Sequence, residues 1–308
     1  MKILKRVLLW TGIILLALIV FVVGSVVVDG WFAEGRLDPI TNTTLTAADG
    51  ETIRAYVAKP EGPGPHPAVI MIHEFYGLRS EIVGKADALA KEGYVVIAPH
   101  VFRGGTTNWI PRAIYNVISA DPNQVDSDVD VAYEWLVAQS DVQADRIGIM
   151  GFCFGGGTSL RYSLSNNQLA ATVIFYGQPI GDPEKLKSLS GPVLGIFGEV
   201  DQSIPLEEVE AMRAGLDQAG VPHEVIIYEG QPHAFLGSME EVAQGGVDRD
   251  AWNTLLEFLR ANLQDGTGAA ESSSLTHDEA ARGIPTLKYV VRLALSHLFH
   301  MEHPGHAG

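Results

Sequence analysis

The stretch Arg146-Ile-Gly-Ile-Met-Gly-Phe-Cys-Phe-Gly-Gly-Gly-Thr158 joins an apolar strand pattern to a helix pattern. At the junction lies the pentapeptide Gly151-x-Cys153-x-Gly155, which predicts a tight turn. Such a turn forces its central residue into a strained backbone conformation, and a side chain two residues away on either side would collide with the crossing strand or helix. Glycine at both flanking positions avoids that collision. The turn then presents the Cys153 sulfur at a helix N-terminus, where unpaired N–H groups and the helix dipole favour the thiolate.

Cys153 is the only cysteine of the chain. A single cysteine cannot form an internal disulfide or a cysteine-based structural zinc site. Free cysteine is often a small buried residue, and a glycine-rich turn alone can produce this pentapeptide. The choice between a packing residue and a nucleophile therefore depends on the residues further along the chain.

An acidic residue and a histidine stand beyond Cys153, each shortly after a later strand pattern. The apolar run 193–197 leads to Asp201, and the run 224–228 leads to His233. In isolation Asp201 would be interpreted as a turn or helix-cap residue and His233 as an exposed loop histidine. The order nucleophile, acid, histidine is that of α/β-hydrolases. We therefore predict a triad in which His233 is the base and general acid for Cys153, and Asp201 fixes its tautomer.

The rest of the pattern predicts an α/β-hydrolase fold, with a mainly parallel central sheet and helices on both faces. Continuous apolar runs are typical of strands buried on both faces. An antiparallel hairpin, 44–59, turns at Asp49-Gly50 ahead of them. The predicted strands are 68–73, 94–98, 146–150, 171–176, 193–197 and 224–228. The predicted helices are 80–92, 126–138, 155–164, 206–219 and 248–263.

Length and charge limit the classes of protein that fit. The 308 residues, 46% of them apolar, allow one large catalytic domain with extra segments at both ends. The net charge of −16 is spread along the chain without a basic run. A surface for nucleic acid needs clustered lysine and arginine, so binding to nucleic acid is not expected.

The segment 103–125 is irregular, with several Gly and Pro residues around an apolar cluster. Long connections of this kind are often functional, but a surface excursion fits equally well. If the segment is a cap or lid over the site, Arg103, Trp109 and Tyr115 are its candidate substrate-binding residues.

The N-terminal run 7–28 contains no charged residue. About 20 apolar residues at ~1.5 Å each span ~30 Å of hydrocarbon, so this run is long enough to cross a lipid bilayer. Lys2, Lys5 and Arg6 precede it, whereas Asp29 and Glu34 follow it. The positive-inside tendency places the N-terminus in the cytoplasm and the catalytic domain on the extracytoplasmic side, in the periplasm or on the outer face. The alternative is a cleaved signal peptide, which would release a secreted protein.

The chain beyond the catalytic domain has two parts. Residues 265–274 have the Gly, Ala and Ser content of a linker, and a helix with one apolar face is expected after it. That helix can dock on the domain, lie on the membrane or pair with a partner, and a histidine-rich tail ends it. We thus predict an anchor at 1–30, a hydrolase domain at 31–264, and a linker, amphipathic helix and tail at 265–308.

Five separated motifs resemble, in order and context, those of the dienelactone hydrolase family. They are His73-Glu-Phe-Tyr-Gly-Leu78, Ala98-Pro-His-Val-Phe-Arg103, Gly151-Phe-Cys-Phe-Gly-Gly156, Phe197-Gly-Glu-Val-Asp201 and Pro232-His-Ala-Phe235. The resemblance covers about residues 43–264. It implies hydrolysis of a small-molecule ester or lactone by a Cys-His-Asp triad, without metal or other cofactor, and a regulatory glutamate at Glu74. The fold implies an oxyanion hole made by the backbone N–H groups of Phe154 and Phe75.

Two departures from the family pattern bear on the substrate and on the location. Members that act on dienelactone are expected to bind its carboxylate with two arginines, one at the position of Arg103 and one shortly after the catalytic histidine. Here Leu236-Gly-Ser-Met239 stands in the second place, so dienelactone itself is not the expected substrate. Arg103 can still bind an anion, and a structural role fits this residue equally well. Soluble members also lack an apolar N-terminal run.

Two functions therefore fit the sequence. The first is a membrane-anchored hydrolase of the carboxylic ester and lactone class. The second is a membrane-tethered binding or scaffold protein that keeps the fold without turnover, because a fold does not guarantee activity. His73 and His100 end neighbouring strands without the spacing of metal ligands, so packing roles are expected for them.

Overall fold

A computed structural model describes residues 2–265 and 291–293 of the chain. Its centre is an eight-stranded sheet with the order β1-β2-β4-β3-β5-β6-β7-β8. The first two strands pair antiparallel with their neighbours, and all other neighbouring pairs are parallel. The strands are β1 Thr43–Thr46, β2 Thr52–Ala58, β3 His66–Ile72, β4 Val95–Pro99, β5 Val142–Phe152, β6 Ala171–Phe175, β7 Val193–Gly198 and β8 His223–Tyr228.

Helices connect the strands and complete the layers. They are α1 Lys2–Ala33, α2 Ser80–Lys91, α3 Ile110–Ser119, α4 Pro122–Val137, α5 Phe154–Ser163, α6 Pro183–Leu186, α7 Leu206–Ala219, α8 Met239–Gln244 and α9 Gly246–Leu259. A short 3-10 turn, Gly35–Leu37, follows α1, and a π-helical turn, Arg260–Gln264, extends α9. The sheet and the helices that pack on it form one continuous apolar core.

The sequence predicted this order well because burial dictates it. Strands β4, β6 and β7 are buried along their whole length, as continuous apolar runs between two helical layers must be. The hairpin of β1 and β2 also forms as predicted, with Gly50 at a positive φ of 87° in its turn. All five predicted helices are present. Helix α4 begins at Pro122, four residues before the predicted start at Asp126, because Asp121 caps its N-terminus.

The segment 103–125 differs most from the expectation of an irregular connection. It contains a regular helix, α3, with Pro111 in the first turn, where proline is tolerated because the N–H that it lacks would be unpaired in any case. Helix α3 packs against α1, so the path of this segment is set by a contact distant in sequence.

Helix α1 is long and apolar enough to cross a membrane, judged by its length and composition. It extends five residues beyond the apolar run, to Ala33, and its apolar side chains are exposed along most of its length. Only its last turns meet the rest of the protein. The predicted linker and C-terminal helix lie outside the described residues, apart from 291–293, where Arg292 forms an ion pair with Glu208 on α7.

Candidate active site

Cys153 occupies the tight turn between β5 and α5. Its φ of 56° and ψ of −114° are strained for a residue with a side chain, as the pentapeptide predicted. A Cβ atom on Gly151 would come within 2.2 Å of the Gly155 carbonyl carbon, and one on Gly155 within 2.3 Å of the Ile72 carbonyl oxygen. Both glycines are therefore required by close backbone contacts, and these contacts bring the elbow against the end of β3.

The sheet brings Cys153, His233 and Asp201 together from three separate loops. The Nε2 atom of His233 lies 3.1 Å from the sulfur of Cys153, and its Nδ1 atom lies 2.7 Å from a carboxylate oxygen of Asp201. The second oxygen of Asp201 accepts the backbone N–H groups of Ser203 and Ile204, at 2.7 and 3.0 Å. The carboxylate is thereby fixed, and it fixes the imidazole in turn. All three triad side chains are buried.

The charge state of His233 results from opposing effects. Burial disfavours the imidazolium, but the neighbouring Cys153 and the hydrogen bond to Asp201 favour it, and together they raise the pKa of His233 to about 10. At neutral pH the histidine is thus protonated when the sulfur beside it is a thiolate.

The segments that carry the predicted oxyanion-hole amides lie next to each other. Phe154 begins α5 directly after Cys153, and Phe75 follows the end of β3. Both aromatic side chains are buried, so their backbone positions are held by the core. The contact of Gly155 with the end of β3 keeps the two segments adjacent.

Glu74 directly precedes Phe75 in the loop after β3. Its side chain is 17% exposed, and one of its oxygens lies 3.8 Å from the guanidinium of Arg79. Arg79 also stacks over the ring of Tyr76 and donates a hydrogen bond to Asn108. The glutamate is therefore partly enclosed and paired, unlike a solvated loop acid.

A family model described as the dienelactone hydrolase family matches residues 53–263, more than half of the chain. The chain belongs to the dienelactone hydrolase family. It is accordingly a hydrolase of the carboxylic ester and lactone class, and its fold is that of the α/β-hydrolases.

Individual relatives agree with this assignment. A Salmonella typhimurium protein named "Putative carboxymethylenebutenolidase" is 34% identical over 231 residues, covering 70% of this chain and 85% of that protein. A Bradyrhizobium protein named "Probable 2-oxo-3-(5-oxofuran-2-ylidene)propanoate lactonase" is 28% identical, covering 70% of this chain and 92% of its own length. The crystal structure titled "Putative Dienelactone Hydrolase" from Klebsiella pneumoniae superimposes with a TM-score of 0.62 at 32% identity, covering 71% of this chain and 99% of that chain.

Arg103 is the residue that the dienelactone hydrolase pattern assigns to substrate binding. In this structure its guanidinium is paired with Asp128, which is completely buried, and with Asp49 in the hairpin turn. It lies at a small cavity of about 220 Å³ together with Arg54 and His100. These pairs favour the structural interpretation of Arg103 over anion recognition.

Trp109 and Tyr115, the other candidate substrate residues, lie on the segment that packs against α1. The indole N–H of Trp109 donates to the hydroxyl of Ser25 at 2.9 Å. The Tyr115 ring is half exposed and lies under the guanidinium of Arg112. Trp109 therefore contacts α1, whereas Tyr115 contacts a neighbour on its own helix.

His73 and His100 pack together, with ring centroids 5.1 Å apart. The Nε2 atom of His73 accepts the backbone N–H of Val101, and its Nδ1 atom lies 2.8 Å from the carbonyl oxygen of Glu74. Burial lowers the pKa of His73 to about 4. The ring is therefore neutral and orients the loop that carries Glu74, a structural role.

Tyr176 is a residue of the site that the sequence pattern did not single out. It follows β6 with a positive φ of 38°, and its ring packs edge-on against His233 at a centroid distance of 5.3 Å. Its buried hydroxyl has no hydrogen-bond partner among the described residues. The available signal was its position at the end of a strand, directly before Gly177.

Proposed function

We propose that this member of the family hydrolyses a small-molecule carboxylic ester or lactone through Cys153, His233 and Asp201. The observation that carries the proposal is the position of the His233 imidazole, held between the Asp201 carboxylate at 2.7 Å and the Cys153 sulfur at 3.1 Å. A buried histidine linked in this way to both an acid and a thiol has the geometry of an activated nucleophile. No observation favours a silent scaffold in its place.

The reaction proceeds in two steps. The Cys153 thiolate attacks the carbonyl carbon, the carbon–oxygen bond to the alcohol breaks, and the His233 imidazolium protonates the departing alkoxide. Neutral His233 then takes a proton from water, and the resulting hydroxide attacks the thioester. The carbon–sulfur bond breaks, which releases the acid and restores the thiolate and the imidazolium. In a lactone the alcohol and the acid are two ends of one product.

Negative charge develops on the carbonyl oxygen in both steps. We assign its stabilisation to the backbone N–H groups of Phe154 and Phe75, which fixed packing holds beside Cys153. Glu74 is assigned the control of the thiol, because a partly enclosed carboxylate near the sulfur opposes a second negative charge until substrate arrives. Its ion pair with Arg79 limits this effect.

The substrate class follows from the cationic groups available at the site. The second arginine of the dienelactone pattern is absent, and Arg103 is already paired with Asp128 and Asp49. The site therefore suits neutral esters and lactones better than a substrate that carries a carboxylate.

We further propose that α1 anchors the enzyme in a membrane, with the N-terminus in the cytoplasm and the catalytic domain in the periplasm or on the outer face. The basic residues before the apolar run support this orientation. Ser25, Asp29 and Ala33 of α1 contact the catalytic domain, which supports a retained helix over a cleaved signal peptide. The mass of the mature protein tests this, because a start between residues 25 and 35 would contradict the anchor.

Activity of Cys153→Ala on a soluble activated ester tests the catalytic proposal. We expect kcat/KM to fall by at least about a thousandfold, which is the typical effect of removing a nucleophile. Unchanged activity in a folded variant would overturn the assignment.

A further inference from the structure

The last turns of α1 are clamped to the segment that leads into α3. The carboxylate of Asp29 accepts hydrogen bonds from the Thr107 hydroxyl at 2.6 Å and from Arg36 at 2.7 Å. Arg36 also donates to the carbonyl oxygen of Thr106. At Gly105 a Cβ atom would lie 2.2 Å from the backbone of Ala33, so the backbone of this segment is in direct contact with the end of α1. The direction of α1 relative to the catalytic domain is thereby fixed.

Helix α3 reaches along α1 beyond this clamp and into the apolar run. Trp109 bonds to Ser25, and Arg112 donates to the carbonyl oxygen of Val26 at 3.4 Å. Ser25 lies three residues before the end of the apolar run at Val28. At ~1.5 Å per residue, the Trp109 indole is about 4.5 Å inside the segment assigned to the membrane. If α1 spans the bilayer, α3 must lie at the depth of the lipid headgroups.

The exposed face of α3 has the composition that such a position requires. Pro111, Tyr115 and Ile118 follow one another at the spacing of one helix face, and Tyr115 and Ile118 are 50% and 58% exposed. Outside α1, the described residues include six large apolar side chains that are exposed, and three of them belong to this segment: Trp109, Tyr115 and Ile118, against Val137, Val200 and Val291 elsewhere. The apolar surface is therefore concentrated beside α1.

Charge on α3 also fits a lipid surface. The protein carries a net charge of −16, yet the single charged residue of α3 is Arg112. Its guanidinium lies over the Tyr115 ring and donates to the carbonyl oxygens of Val26 and Gly104, so this charge belongs to the contact with α1. Helix α3 carries no acidic side chain that anionic headgroups would repel. Tyrosine and tryptophan are the side chains enriched at membrane interfaces.

The same segment is bonded to the loop that carries Glu74 and Phe75. The carbonyl oxygen of Tyr76 accepts hydrogen bonds from the Thr107 N–H and the Thr106 hydroxyl, both at 3.0 Å. Arg79, the partner of Glu74, donates to Asn108, directly before Trp109. The loop that carries the Phe75 amide is thus attached to the part of the protein nearest the lipid.

We propose that α3 is a second membrane contact, lying in the headgroup region of the leaflet from which α1 emerges, with Tyr115 and Ile118 toward lipid. It holds the loop of Glu74 and Phe75 at the bilayer surface, so that the substrates are esters or lactones that partition into lipid. This inference rests on the proposed anchor and on the proposed hydrolase activity.

Site-specific labelling of the full chain tests the inference. Because Cys153 is the only cysteine, Cys153→Ala provides a background in which Ile118→Cys, Val137→Cys and Ile14→Cys each accept one environment-sensitive dye. The three positions are all exposed, on α3, on α4 and in the middle of α1. Each labelled protein is reconstituted in vesicles of phosphatidylcholine and phosphatidylglycerol that contain a lipid quencher attached either near the headgroup or deep in the acyl chain.

We expect the shallow quencher to reduce the fluorescence at Ile118→Cys several-fold more than at Val137→Cys, and the deep quencher to act most on Ile14→Cys. Equal quenching at Ile118→Cys and Val137→Cys, with Ile14→Cys quenched, would overturn the role of α3 and leave the anchor intact. That result would include the case in which another protein or a second copy covers α3. Absence of quenching at Ile14→Cys would remove the anchor and the inference together. Hydrolysis of a soluble ester by the unmodified chain in the same vesicles tests the catalytic proposal separately.

Discussion

The charge state of the Cys153–His233 pair depends on its surroundings more than on either side chain. Burial acts against ions, but the sulfur and the imidazole are 3.1 Å apart, and the Asp201 carboxylate lies on the far side of the ring. These neighbours favour the imidazolium form of His233. In that form the histidine can protonate the alkoxide that departs after the sulfur has attacked.

The pH dependence of the His233 charge follows from the direction of its pKa shift. The pKa of His233 is raised from its ordinary value of about 6.5 to about 10, so the imidazolium persists below that pH and is lost as pH rises through it. We expect the ring-proton NMR signals of His233, assigned by their absence from His233→Ala, to show a protonated ring from about pH 6 to pH 9. In Asp201→Asn, which removes the carboxylate that favours the imidazolium, the ring should lose its proton at lower pH. Titration of the parent ring near its ordinary pKa of about 6.5 would contradict the raised value.

Backbone crowding at the elbow can be tested by replacing Gly155. In Gly155→Ala the new methyl would lie 2.3 Å from the Ile72 carbonyl oxygen, and backbone atoms cannot yield as a side-chain end can. We expect a loss of at least about 3 kcal/mol in the free energy of unfolding, or no folded protein. Urea denaturation measures it.

Gly84→Ala is the control for that substitution. Gly84 lies within α2, and a Cβ atom at this position would be 3.9 Å from its nearest neighbour. Alanine favours helix over glycine by about 1 kcal/mol, so this variant should be slightly more stable than the parent. Similar losses in both variants would refute the crowding at the elbow.

At the scale of elements, Arg103 joins the hairpin of β1 and β2 to α4. Its guanidinium is paired with Asp49 in the hairpin turn and with Asp128 on α4, whose side chain is completely buried. Removal of the arginine leaves a buried carboxylate without its partner, which costs roughly 3–5 kcal/mol. We therefore expect Arg103→Ala to lower the free energy of unfolding by about that amount while leaving the preference between neutral and anionic esters unchanged.

The comparison for Arg103→Ala is Lys187→Ala, which removes an exposed ion pair with Glu184. Exposed pairs contribute about 0–1 kcal/mol, so its melting temperature should change little. A selective loss of activity on anionic esters in Arg103→Ala, without loss of stability, would restore the substrate-binding role of this residue.

Features that depend on residues close together in the sequence were predictable, and features that depend on distant residues were not. The elbow at Cys153 and the buried strands were predictable, because glycine requirements and continuous apolar runs are local. The partners of Arg103 were not, because Asp49 and Asp128 belong to elements far apart in the chain. Helix α3 was missed because Gly104, Gly105 and Pro111 suggested an irregular segment, and its contact with α1 is distant in sequence.

At the scale of the whole molecule, the anchor and α3 determine which substrates reach the site. We expect Ile118→Glu to lower kcat/KM for a long-chain ester presented in vesicles by roughly tenfold, since about 1.4 kcal/mol of lost interfacial burial corresponds to that factor. Hydrolysis of a short, water-soluble ester should not change. Val137→Glu, an equivalent charge on the exposed end of α4, should affect neither substrate. Equal loss on both esters in Ile118→Glu would indicate damage to the fold and contradict the role of α3.

The acyl group of the substrate is carried by the Cys153 sulfur in the mechanism proposed above, and this intermediate can be trapped. The most direct measurement is mass spectrometry of the protein quenched with acid during turnover of a hindered, slowly deacylated ester. We predict that the mass of one acyl group is added to the peptide that contains Cys153 and that Cys153→Ala shows no such adduct. An acyl group on another residue, or turnover at the full parental rate in Cys153→Ala, would contradict a mechanism based on this thiol.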